Sequence, residues 1–149
     1  MDARDVMTRA VVSVSPETPT RSVAKLLLEK GISAVPVVDA GGAPVGMVSE
    51  GDLIGRNATE WEARRDWWLE LLAEGTNLAQ EFLDQVKAAD RPVRAVMTAP
   101  VITIEEDTRI EVIARVLEEH RIKRVPVVRD GRIVGIVSRA DLIRALAAT

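Results

Sequence analysis

Apolar and polar positions alternate along the chain in two rhythms, and the same succession of rhythms occurs twice. Ala10 to Val14 is a short apolar, β-branched run that predicts a strand, and Ser15-Pro16-Glu17-Thr18-Pro19 stops it. From Arg21 the apolar positions Val23, Ala24, Leu27 and Leu28 recur at helical spacing until Lys30-Gly31. Glycine there supplies a left-handed exit, so the helix should end at about Glu29 or Lys30. Ile32 to Asp39 and Pro44 to Val48 predict a β-hairpin, and Ser49 opens a further helix through Leu53 and Ile54.

The second passage repeats the first. Val6-Met7-Thr8 returns as Val96-Met97-Thr98, and Ala34-Val35-Pro36-Val37-Val38 returns as Arg124-Val125-Pro126-Val127-Val128. Gly46-Met47-Val48-Ser49, with Asp52 after it, returns as Gly135-Ile136-Val137-Ser138 with Asp141. Val101 to Ile104 predicts the strand, Ile110, Ile113, Ala114 and Leu117 the helix stripe, and Asp130-Gly131 the hairpin turn. Ser138 to Ala147 closes the chain as a helix, with Leu142, Ile143 and Leu146 expected to face inward. Each half therefore reads strand, helix, strand, strand, helix, an internal duplication whose second hairpin loop is one residue shorter. The organisation predicted is repeat one over residues 1–55, an insert over 56–92 and repeat two over 93–149.

The insert matches neither copy. Thr59-Glu60-Trp61-Glu62 is a capping-box pattern that starts a helix, and Gly75 ends it. A second helix starts at Asn77, carries Leu78, Phe82 and Val86 on one stripe and ends near Asp90-Arg91-Pro92. The expected insert is thus a helical hairpin. It holds every aromatic residue of the chain: Trp61, Trp67, Trp68 and Phe82. So broad an apolar surface should be buried against the repeats or another subunit, which makes Trp61, Trp67 and Trp68 interface candidates; a ligand or partner site is the other reading.

Composition narrows the function. A chain of 149 residues can bury roughly 68–70% of its unfolded surface, enough for a core without staples. No cysteine is present, which removes disulfides, thiolate nucleophiles and sulfur-ligated zinc and fits a cytoplasmic setting. A net charge of -3 argues against a broad nucleic-acid footprint, so any anion must be gripped locally. No run is long and apolar enough to span a bilayer or serve as a signal peptide, so a membrane partner is not expected.

Catalysis finds little support. There is no Tyr, the lone His120 has no evident nucleophile partner, and no Gly-rich phosphate loop or metal-ligand cluster occurs. His120 lies at a helix end beside basic residues and reads as a surface cap. We therefore expect no catalytic residues, no metal and no enzyme activity.

Two copies of a strand ending in Val-Pro-Val-Val, a hairpin, and Gly-(apolar)-Val-Ser-x-x-Asp closing onto a helix resemble a tandem pair of cystathionine-beta-synthase (CBS) domains, a Bateman module. The Val-Met-Thr before each copy is similar to that family too. The long Trp-rich insert resembles that of bacterial CBS proteins carrying a C-terminal BON domain, which this sequence lacks. The resemblance implies an α/β fold in which two repeats pack with pseudo-two-fold symmetry. It also implies a regulatory module that holds an adenine nucleotide (AMP, ADP or ATP) as ligand in the cleft between repeats. Signalling would come from rearranging repeats or subunits, commonly within a homodimer.

By position, the resemblance puts the phosphate near Ser49 and Ser138 and the ribose hydroxyls on Asp52 and Asp141. The adenine is expected among aliphatic groups such as Val12 and Ile32, or Val101 and Ile122. The second half carries Lys123, Arg124 and Arg139 where the first has Ser33, Ala34 and Glu50, so an anionic ligand should prefer the Ser138 site. Two alternatives stay open. Ser-x-x-Asp is also close to a capping box that satisfies the helix's own N–H groups. The whole chain could equally be a dimerisation or docking module with empty clefts, assembled through the Trp-rich insert.

Overall fold

A computed structural model describes residues 1–54 and 91–148. The predicted helical hairpin, with Trp61, Trp67, Trp68 and Phe82, lies outside the described residues. The chain forms two compact units: Met1–Ser13, Pro36–Gly46 and Ala99–Thr149 in the first, Val14–Val35 and Met47–Thr98 in the second. Each unit thus draws on both sequence copies. In order, the elements are α1 (Ala3–Val6), α2 (Thr20–Lys30), β1 (Ala34–Val38), β2 (Pro44–Ser49), α3 (Glu50–Leu53), a 3-10 turn (Val93–Ala95) and β3 (Ile104–Glu105). They continue with α4 (Ile110–Glu119), β4 (Arg124–Arg129), β5 (Arg132–Ser138) and α5 (Arg139–Ala147). The α/β class and the doubled order agree with the sequence reading.

In the first unit β3 pairs parallel with β4, and β4 pairs antiparallel with β5. Asp130 (φ 52) and Gly131 (φ 79) both take the positive φ that a two-residue I′ turn requires, so the turn dipeptide sets the register Arg129↔Arg132. Val125, Val127 and Val137 are buried against Ile113 and Leu117 of α4, and Ala3 and Met7 from the chain's start complete that core. Each of the valine, isoleucine, leucine and methionine side chains contributes about 1.5–3 kcal/mol on burial. The N-terminal segment is tied down by the backbone bonds Ala3 N–H to Thr108 O (2.8 Å) and Thr8 N–H to Ile136 O (2.9 Å).

The second unit repeats the device with the partner segment. Val93 is fully buried and donates to Thr18 O (2.8 Å), Thr20 donates to Arg91 O (2.8 Å), and Met47 and Thr98 exchange backbone bonds. Here α2 buries Val23 and Leu27 and ends as expected: Gly31 has φ 63, Gly31 N–H reaches Leu28 O and Ile32 N–H reaches Leu27 O. The Val-Met-Thr segments, read only as repeated words, are therefore short straps with a helical turn before them.

Two expectations are corrected. The run Ala10 to Val14 forms no strand, only a single bridge at Val14, and the Val101 to Ile104 strand shrinks to Ile104–Glu105. Pro126 explains the second case. Ile136, opposite Pro126, spends its N–H and C=O on Thr8, so the Pro126 nitrogen faces the β3 side, where it has no N–H to extend the ladder.

The inward face of α5 also differs from expectation. Asp141 and Ala145 are buried and Leu142 is half-buried against the core, whereas Ile143 and Leu146 are 64% and 71% exposed. The cap at Ser138 turns Asp141 inward, and that rotation carries Ala145 with it at the i+4 position.

Candidate functional site

Both Ser-x-x-Asp phrases fold into the same local structure. At the β5–α5 junction Ser138 is extended (φ -110, ψ 168) and its Oγ accepts from Asp141 N–H at 3.2 Å. Asp141 Oδ2 in turn accepts from Ser138 N–H at 2.8 Å and Ser138 Oγ at 3.1 Å. At the β2–α3 junction Ser49 Oγ accepts from Asp52 N–H at 3.3 Å, while Asp52 Oδ2 accepts from Ser49 N–H at 2.9 Å and Ser49 Oγ at 3.1 Å. These are reciprocal capping boxes, so the local reading of the motif is what the structure displays.

A second symmetric contact fixes each junction. Arg139 N–H donates to Lys123 O and Glu50 N–H to Ser33 O, both at 3.0 Å, which brings the residue before each hairpin up to the helix start. Arg124 is paired with Ser138 in the β4–β5 register. Of the donors at the start of α5, the N–H groups of Ser138, Arg139 and Asp141 have partners, and the Ala140 N–H stands between the last two in the same turn.

The predicted residues divide between the two units. Ser138, Arg139, Asp141, Lys123, Arg124, Ile122 and Val101 lie in the first, and Val12 falls there too, whereas Ser49, Asp52 and Ile32 lie in the second. Val12, Val101, Ile122 and Ile32 are all half-buried, apolar surface within reach of solvent. Lys123 and Arg139 are exposed and Arg124 is half-buried, so positive charge gathers around the start of α5. The first copy has no such charge, since Ser33 and Glu50 occupy those places.

The third partner of each aspartate is not legible in the motif. Asp141 Oδ1 is held by the guanidinium of Arg144, one turn along α5, whereas Asp52 Oδ1 accepts from the Thr98 hydroxyl at 3.3 Å. Sequence spacing contains the first signal, because Asp141 and Arg144 stand at i and i+3 of a helix. Nothing local to Asp52 indicates Thr98, which comes from the repeated strap. His120 caps the end of α4, its Nδ1 at 3.0 Å from Val116 O, in the surface role expected of it. Among the described residues no helix is long and apolar enough to cross a membrane.

The family model described as CBS domain matches residues 3–58 and 93–148. Over 97% of this chain and 86% of the other, it is 35% identical to the CBS domain of a CBS domain containing membrane protein from Sphaerobacter thermophilus, with TM-score 0.73. The CBS-pair protein CBSX2 from Arabidopsis thaliana superposes with TM-score 0.75 at 27% identity, covering 99% of this chain and 94% of that one. A structure of CBSX2 in complex with AMP gives TM-score 0.72 at 29% identity, over 99% and 96% of the two chains.

Among curated sequences, the Methanocaldococcus jannaschii protein MJ1426 is 34% identical over 96% of this chain and 89% of its own length. The chain spans only 31% of MJ1404 from the same organism and 57% of the chloroplastic CBSX1 of Arabidopsis thaliana. With both repeats matched by the family model and the doubled fold shared with solved CBS pairs, the chain belongs to the CBS domain family as a tandem pair.

Proposed function

We propose that this chain is a regulatory, non-catalytic module that binds an adenine nucleotide (AMP, ADP or ATP) and signals by rearranging its repeats or subunits. The observation that carries the reading is the α5 start, where the Ser138 cap stands at the backbone junction of exposed Lys123 and Arg139. A helix N-terminus with cations around it suits a phosphate, since the dipole contributes about 0.3–2 kcal/mol. In this reading Asp141 or Asp52 takes the ribose hydroxyls through charge-assisted bonds, each about 1.5–3 kcal/mol. Val12, Val101 and Ile122 then offer the adenine an aliphatic bed, as Ile32 does at the Ser49 site. The AMP complex of CBSX2 supports the ligand class. A cytoplasmic location belongs to the same reading and is supported by the cysteine-free composition.

The test is a melting curve with AMP, ADP, ATP and S-adenosylmethionine at millimolar concentration. A ligand present at a hundredfold excess over its Kd adds about 2.7 kcal/mol of stability, an easily measured rise in Tm. If none of the four moves the curve, the reading fails.

A second reading, assembly as a homodimer, is favoured by Ile143 and Leu146, two large apolar side chains exposed on one helix. Analytical ultracentrifugation of Ile143→Glu with Leu146→Glu should show a lower mass than the unaltered chain. An unchanged mass counts against this face as the contact, and the same measurement on Trp67→Ala with Trp68→Ala tests the insert.

A further inference from the structure

The two Ser-x-x-Asp boxes share their backbone geometry and differ in what holds the outer carboxylate oxygen. We propose that Arg144 is a latch on Asp141. The latch makes the two sites unequal: a diol meets only neutral donors on the Asp52 carboxylate, and meets the Arg144 cation on that of Asp141. The inference rests on the reading that these boxes bind a nucleotide.

Three observations carry it. The Asp141 side chain is 4% exposed, with Oδ2 committed to Ser138 and Oδ1 to the Arg144 guanidinium. A pair of ribose hydroxyls must compete there with a cationic donor for a buried carboxylate. Asp52 is half-buried, and its Oδ1 is held by one neutral hydroxyl, Thr98 Oγ1, at 3.3 Å, near the outer limit of a hydrogen bond. An incoming diol can replace a single neutral donor with two. Finally, the residue three after Asp52 is Gly55, which has no side chain, so the first copy cannot form the same ion pair at that spacing.

The latch is built to open. The Arg144 side chain is 70% exposed, so its guanidinium regains water when it swings away, while Asp141, 4% exposed, needs a ligand's donors in its place. Lys123 and Arg139 pull in the other direction by attracting the ligand's phosphate to the same helix start. The second site is therefore rich in charge but has Arg144 competing at its carboxylate, while the first is poor in charge and has a neutral donor there. Arg144 thus holds the affinity of the Asp141 site below what its cations alone would give.

Isothermal titration with AMP on the full chain tests this, using the unaltered protein and the variants Asp52→Asn, Asp141→Asn, Arg144→Ala and Arg144→Gln. Asp52→Asn and Asp141→Asn should each remove one of the two binding phases, which assigns a phase to each site. Both Arg144 variants should tighten the phase that Asp141→Asn removes by about fivefold, the factor matching a weak ion pair. Arg144→Gln keeps the side-chain length, so a gain seen in both variants reports loss of the charge rather than of packing. If the Arg144 variants leave that phase unchanged while the unaltered chain binds AMP, the latch is overturned and the binding reading survives. Absence of AMP binding in every protein overturns both.

Discussion

Thr8 and Ile136 exchange both backbone hydrogen bonds, Thr8 N–H to Ile136 O at 2.9 Å and Ile136 N–H to Thr8 O at 3.0 Å. The first repeat's introductory strap is thereby stitched to the last strand of the second, and Met47 with Thr98 does the same in the other unit at 3.0 and 2.8 Å. The consequence falls on the neighbouring pair. Met7 is buried directly over Gly135, where an added Cβ would lie 2.8 Å from Met7 Cγ and 3.1 Å from Met7 Cβ, with Sδ nearer still. Because Cβ cannot swing aside, Gly135→Ala should destabilise the chain by about 1–3 kcal/mol in urea denaturation. Adding Met7→Ala to that variant should recover part of the loss, a coupling that a double-mutant cycle measures. Equal costs with and without Met7 would mean the two residues are not in contact.

The caps yield a second prediction. Ser138→Ala and Ser49→Ala each remove the acceptor for an N3 amide and should cost about 0.5–2 kcal/mol. Ser138 starts a nine-residue helix whose Ala145 is buried, so its loss should lower the whole chain's midpoint. Replacement by Gly should cost only a few tenths of a kcal/mol, because a glycine leaves the helix's first N–H groups more open to water. A Gly variant as damaging as Ala would point to a role other than capping.

The helix exits differ between the copies in a way that denaturation can read. Gly31 (φ 63) ends α2, and Arg121 (φ 53) takes the equivalent left-handed position after α4. A side chain pays about 1–2 kcal/mol there, and nothing lies within 4 Å of a Cβ built at Gly31, so the cost is in the backbone alone. Gly31→Ala should therefore destabilise by about 1 kcal/mol, and Arg121→Gly should stabilise by about 0.5–1 kcal/mol after the glycine's entropy is subtracted. A neutral Arg121→Gly would show that the arginine side chain repays its strain elsewhere.

Much of this was legible along the chain because the information is local. Lys30-Gly31 ends a helix, Asp130-Gly131 forces a turn, and Ser-x-x-Asp caps itself; each depends on residues a few positions apart. The exchange of straps was not legible, since Thr8 and Ile136 are brought together by the fold and no pattern near either announces it. The short β3 was hidden for a similar reason. Pro126 sits in an apolar run like any strand residue, and only its orientation, set by Ile136 bonding to Thr8, places the missing N–H on the β3 edge. At the site, the serines and aspartates were found by repetition, whereas the exposure of Ile143 and the burial of Asp141 follow from the helix rotation that the cap imposes. Hydrophobicity alone would have turned α5 the other way.

The charge around the α5 start supplies the last prediction. Lys123 and Arg139 are exposed side chains joined at the backbone by the Arg139 N–H to Lys123 O bond, so removing their heads leaves that bond in place. If they serve the phosphate, Lys123→Ala with Arg139→Ala should weaken AMP at the Ser138 site by about five- to tenfold, the effect of one to two exposed charge contacts. Adenosine, which has no phosphate, should bind the variant and the unaltered chain alike. Raising the salt should weaken AMP binding to the unaltered chain more than to the variant, because screening acts only on charges that are present. A parallel loss for adenosine would place these residues beside the base or ribose. An AMP affinity indifferent to both the substitution and the salt would leave the two cations as ordinary surface charge, with the Ser138 hydroxyl and the Ala140 N–H gripping the phosphate alone.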